Sequence, residues 1–182
     1  MSATKEKLFE AKYFLDCMIE SQDKRDVFKY NLSAFLAAFR SVTMIMQNEF
    51  GKVPGFVDWY RVQQDEMKAD DKMKLLNTKR TMTIHQKPVQ PRALVSVSVT
   101  EHITVTNSVS VIVTRADGTV ERYDSAPEQP PTPAKTEPVV QWQWFFDEVS
   151  DIDVVTLCQE CWRKLESIVL ECEQRFGSSE AC

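Results

Sequence analysis

Arg80 and His85 are the residues whose types and spacing point most directly to chemistry. They lie in Lys79-Arg80-Thr81-Met82-Thr83-Ile84-His85, and His85 is one of only two histidines in the chain. An arginine fork holds a phosphate through paired N–H donors, and a histidine moves a proton near neutral pH. Together they suit metal-free cleavage of RNA. The 2′-hydroxyl attacks the adjacent phosphate, the imidazole assists proton transfer, and the guanidinium stabilises the charge developing on phosphorus. Lys79 and Thr81 flank the arginine as auxiliary groups. Lys68, Lys72, Lys74, Lys79, Lys87 and Arg92 surround the pair against Asp70 and Asp71, the one cationic stretch of an acidic chain. Five residues of regular helix place two positions about 140° apart, so convergence requires a break in the helix or a second subunit.

Other constellations have simpler readings. Cys158-Gln159-Glu160-Cys161 has redox spacing, but it falls inside a helical stripe with Cys172 further along. The cysteines read as small hydrophobes, with zinc or redox chemistry as the alternative. The five cysteines (Cys17, Cys158, Cys161, Cys172, Cys182) are expected as free thiols. His102 alternates with the polar face of a strand. Trp142, Trp144, Phe145 and Phe146 form either core or a stacking surface. Four glycines leave no phosphate loop. The expectation is no metal and no cofactor.

The elements that position these groups are mainly helical. Residues 3–22 carry Leu8, Ala11, Leu15, Met18 and Ile19 on one face. Residues 26–50 form the strongest segment, with Phe28, Leu32, Phe35, Phe39, Val42 and Met46 in one stripe and Ala34, Ala37 and Ala38 for close approach. Arg40 interrupts that surface, reaching either water at the bundle edge or a buried partner. Gly51 to Gly55 is a loop, and residues 56–80 form one helix or two that bend near Ala69-Asp70-Asp71.

Beyond Pro88 and Pro91 the period becomes two. Val95, Val97, Val99, Ile103 and Val105 define one strand, Asn107-Ser108 a turn, and Val109, Val111 and Val113 a second strand. Asp117-Gly118 predicts a hairpin leading to Val120–Tyr123. Residues 125–138 hold five prolines and read as a linker. The aromatic run 141–146 is a fourth strand or an anchor. A last helix over 153–176 carries Val154, Leu157, Cys158, Cys161, Leu165, Ile168 and Cys172. The fold class expected is mainly α: an antiparallel bundle of about four core helices with an inserted three- to four-stranded antiparallel β-meander. The 182 residues form a single domain, with the bundle over 3–87 and 151–176 and the insertion over 93–146.

The net charge of −5 argues against a general nucleic-acid coat protein, and 43% hydrophobic residues with 27% charged fit a soluble domain. No apolar run spans a bilayer and no signal peptide opens the chain, so a cytoplasmic location without membrane contact is expected.

Arg80-Thr-Met-Thr-Ile-His85 is similar to the R-x4–6-H motif of HEPN domains (higher eukaryotes and prokaryotes nucleotide-binding). Asn31–Phe35 with Arg40-Ser41 looks like the second helix of bacterial members. The resemblance covers roughly 3–87 and 151–176. It implies a metal-independent endoribonuclease acting as a toxin or defence component, with Arg80 and His85 as the catalytic pair. It also implies a homodimer that brings two motifs together and a nucleotidyltransferase-type antitoxin as partner. In many members Asn, Asp or His follows the arginine, and here it is Thr81. The alternatives are a non-catalytic module that binds RNA, nucleotide or a protein partner, and an assembling helical bundle with a β-sheet. The one-faced valine sheet also argues for a dimer.

Overall fold

The computed structural model describes residues 1–85, 88–98, 110–124 and 138–177, excluding the side chains of Ile84 and His85. His102, the Asn107-Ser108 turn, Lys87, the prolines of 125–137 and Cys182 lie outside the described residues. Two compact units divide the chain: Met1–Val95 with Gln141–Cys182, and Ser96–Val140.

The first unit is built on five helices. α1 (Ala3–Glu20) starts where Ser2 accepts a hydrogen bond from the Lys5 amide. It packs most extensively on α2 (Arg25–Phe50). The α2 stripe from Phe28 to Met46 is buried throughout, and α5 (Val154–Phe176) adds Leu157, Cys158, Cys161, Leu165 and Cys172 to the same core. Asp153 caps α5 by accepting from the amides of Val155 and Thr156.

Between α2 and the strands the chain forms two helices, α3 (Phe56–Ala69) and α4 (Asp71–His85). They part at Asp70, whose backbone is extended with ψ 113°. One carboxylate oxygen of Asp70 accepts from the amides of Lys72 and Met73, so the residue that ends α3 also caps α4. This is the bend expected near Ala69-Asp70-Asp71. α4 then continues unbroken through the whole stretch 79–85.

The strands depart from the expected meander. Among the described residues they form two separate two-stranded sheets, β1 (Arg92–Ser98) with β4 (Val139–Phe145), and β2 (Ser110–Thr114) with β3 (Val120–Asp124). The bundle likewise has five helices where about four core helices were expected. Mainly α remains the class. The reason for the discrepancy is physical: alternation reports which residues share a face of a strand, not which strand pairs with it. The partner of β1 comes from the aromatic run more than forty residues later, where Trp144 is anchored in the helical core.

In the second unit, Asp117-Gly118 forms the expected hairpin turn. Gly118 has φ +88°, which a glycine adopts without steric cost, and the Asp117 carboxylate accepts from the Thr119 amide. β2 and β3 are antiparallel, with Val111 opposite Tyr123 and Thr114 opposite Val120. Val111, Ile112 and Val113 are all exposed, so neither face of β2 is buried within the described residues.

Candidate functional site

A cleft of about 250 Å3 lies within the first unit, walled by α2, α3 and α4, with Leu165 of α5 also in its lining. Each wall is one helical stripe. α2 supplies Leu36, Phe39, Arg40 and Thr43; α3 supplies Tyr60, Gln64, Met67 and Lys68; α4 supplies Met73, Lys74, Leu76, Asn77 and Arg80. The spacing of three and four residues brings each set to one face of its helix. Every ionisable lining residue other than Tyr60 is a cation, and no carboxylate lines the cleft.

Arg40 and Arg80, read separately in the sequence, therefore share one cavity. Arg40 is exposed at the bundle edge and donates from Nη1 to the Thr43 hydroxyl at 2.6 Å. Arg80 is half-buried. Its Nε is shielded from solvent and has no hydrogen-bond partner among the described residues, a costly state for a charged donor. Among the described residues neither guanidinium is paired with a carboxylate.

The surrounding lysines are different. Lys68 pairs with Asp65 and Lys74 with Asp71, while Lys72 reaches Glu160 and Lys79 reaches Glu148. Arg92 lies 4.0 Å from Asp147. The cationic stretch is thus largely balanced by carboxylates, several of them distant in sequence. Lys79 is buried beneath Phe146 and does not line the cleft. Thr81 is exposed and its hydroxyl donates to the Asn77 carbonyl within α4, so it too lies outside the cleft.

His85 ends α4, and its side chain lies outside the described residues. Because α4 is regular from Arg80 to His85, the two positions are about 140° apart around the helix axis. The departure from helix needed for the two to meet within one chain does not occur.

The lining residues that the sequence reading missed are Gln64, Asn77, Tyr60, Met67 and Met73 as a group. Their signal was helical spacing: 60, 64 and 67 on α3, and 73, 77 and 80 on α4. It was obscured by the apparent continuity of residues 56–80.

Among the described residues no thiol lines the cleft. Cys158, Cys161 and Cys172 are buried and free, and Cys17 is half-buried and free. Burial raises Cys158 well above the ordinary thiol range, and desolvation pushes both Cys161 and Cys172 up to about 12. Such thiols stay protonated and act as core side chains.

Fold and cleft together define a mainly helical protein with an arginine-lined cavity beside its core. Among the described residues, no helix is long and apolar enough to cross a membrane. A family model, that of Bacteriophage lambda protein ea47, matches residues 1–182, and the chain belongs to this family. No curated protein and no solved structure matches it. The family match corrects the HEPN resemblance, because it spans the whole chain and is to a different family. A six-residue motif with two fixed positions recurs by chance, and here it sits on an uninterrupted helix. The nucleotidyltransferase-type antitoxin had no ground other than that resemblance.

Proposed function

We propose that this protein is a binding module for a small ligand bearing an oxyanion, above all a phosphate, held by Arg40 and Arg80. One observation carries the reading: two guanidinium groups without carboxylate partners among the described residues line one cavity that contains no acidic side chain. Guanidinium offers a planar fork that matches phosphate oxygens, and a low-dielectric wall strengthens the attraction.

Binding is favoured over RNA cleavage. Cleavage needs a proton-transfer group within hydrogen-bond reach of the phosphate. Helical geometry turns positions 80 and 85 about 140° apart, which weighs against the two acting on one phosphate from a single helix. A long RNA is also disfavoured as the ligand, because it needs a track of available cations. The lysines of residues 68–79 already face carboxylates.

Calorimetric titration with inorganic phosphate and pyrophosphate tests the reading. Saturable binding is expected, weakened about tenfold or more in Arg80→Met and in Arg40→Met, since a hydrogen bond to a charged group contributes about 1.5–3 kcal/mol. Absence of saturable binding, or unchanged binding in both variants, would sink it. RNA cleavage in EDTA that disappears in His85→Ala would replace it with catalysis shared between two subunits.

A further inference from the structure

We propose that the ligand is a nucleoside monophosphate, with its phosphate at Arg40 and Arg80 and its base edge read by Gln64 and Asn77. This rests on the oxyanion reading above and narrows it.

The first ground is the amides. Gln64 is half-buried and Asn77 exposed, and among the described residues their side chains make no hydrogen bond within the protein, so both amides are open to a ligand at the cleft mouth, whereas the other neutral polar groups of the cleft are engaged. Thr43 accepts from Arg40, and Tyr60 accepts from Gln47 at 3.2 Å. A carboxamide sets one acceptor beside one donor, the complement of a base edge that offers a donor beside an acceptor. Adenine presents such an edge at N6 and N7.

The second ground is the rest of the wall. A bare phosphate needs no apolar surface, yet Phe39, Met67, Met73 and Leu76 line the same cavity. A flat, weakly polar body attached to the phosphate would rest against Met67, which is half-buried, while Phe39, Met73 and Leu76 behind it are already core. Methionines adapt to such a body because they are unbranched and polarizable.

The third ground is size and charge. A cleft of about 250 Å3 lies just under the roughly 300–1,000 Å3 typical of small-molecule pockets. That suits one nucleotide better than a dinucleotide cofactor. Two guanidinium groups match the charge of about −1.5 to −2 on a terminal phosphate at neutral pH. An internal phosphodiester carries only one negative charge.

The test compares ligands on the intact chain. The 5′-monophosphates of adenosine, guanosine, cytidine and uridine are titrated calorimetrically beside inorganic phosphate and adenosine. At least one nucleotide is expected to bind ten times more tightly than phosphate, and adenosine more weakly than adenosine monophosphate. Asn77→Leu and Gln64→Leu should each weaken that nucleotide about tenfold and leave phosphate affinity unchanged, while Arg80→Met weakens both. Asn77 is exposed, so its replacement should leave the fold intact, which circular dichroism checks. If phosphate binds in an Arg80-dependent way but no nucleotide exceeds it, the nucleotide assignment fails and the oxyanion reading stands. If nucleotide affinity survives both amide substitutions, the role given to the amides is overturned. Tighter binding of a single-stranded oligonucleotide without a terminal phosphate would overturn the assignment in favour of nucleic acid. If neither phosphate nor any nucleotide binds, both readings fall together.

Discussion

Lys79 Nζ lies 2.7 and 2.8 Å from the two carboxylate oxygens of Glu148 and 4.8 Å from the centre of the Phe146 ring. The pair joins α4 to the short segment between β4 and α5, beside the arginine that enters the cleft. The lysine side chain is only 11% exposed and the glutamate 52%, so the lysine stem is packed while the carboxylate is partly wet. Lys79→Ala should lower stability by about 1 kcal/mol through lost stem packing and pairing, and Lys79→Met by less. The hydrogen bond from Lys79 holds Glu148 below the ordinary glutamate range, outweighing desolvation. A carboxylate depressed in the folded state contributes above its unfolded pKa, and the contribution is lost as pH falls through the folded value. The stability gap between wild type and Glu148→Gln should therefore be present at pH 7 and close progressively below about pH 4. Urea unfolding across that range measures it.

Trp144 stacks on Phe28 with ring centres 4.5 Å apart and planes 10° apart, and its indole N–H donates to the Gln22 carbonyl. Both rings are fully buried. Trp144→Ala should cost about 3–5 kcal/mol, as large aromatic truncations do. A double-mutant cycle on Phe28 and Trp144 should return a coupling of about 0.5–1.5 kcal/mol. Additive effects would mean that the stacked geometry contributes nothing beyond burial.

Asp70 has two separable roles. One oxygen caps α4, and the other takes an ion pair from Lys164 on α5. Burial acts to raise its pKa, but the Lys164 hydrogen bond and the Met73 and Lys72 amides hold it lowered overall. Asp70→Ala should lose about 0.5–2 kcal/mol of stability. Asp70→Asn keeps a capping oxygen and should lose less at neutral pH. Its shortfall should fade in acid as the wild-type carboxylate protonates. Equal losses for both variants would assign the effect to the ion pair alone.

Thiol reactivity separates the cysteines. In a Cys182→Ser background, a water-soluble disulfide reagent should modify Cys17 first. Cys158, Cys161 and Cys172 should react fully only after denaturation, because burial keeps each protonated. Fast labelling of Cys161 in the folded protein would contradict the buried stripe.

The helices were legible in the sequence because burial in a bundle imposes a period of 3.6 on apolar residues, as from Phe28 to Met46. The division of residues 56–85 was visible only as weakened periodicity near Asp70. There a polar residue caps one helix while ending another. Strand positions could be read from alternation, but β1 pairs with β4, a relationship set by the anchoring of Trp144 rather than by local pattern. Arg80 and Arg40 each stand out in the sequence, one beside a histidine and the other within an apolar helical stripe. That they share a cavity depends on the packing of α2 against α4, which no local spacing reports. The cationic stretch looked free for the opposite reason: the partners of Lys72 and Lys79 are Glu160 and Glu148, 88 and 69 residues away.

Seating two arginines in a cleft of an acidic chain also has a kinetic consequence. The chain carries a formal net charge of −5, so a phosphate approaching from beyond a Debye length meets a repulsive field before it meets the arginines. Association should therefore start below the usual range for steered encounters. Added salt should speed the encounter by screening the distant repulsion and hasten release by weakening the contact in the cleft. Residence time, rather than capture rate, would then distinguish the ligand this cavity holds from the many anions that pass it.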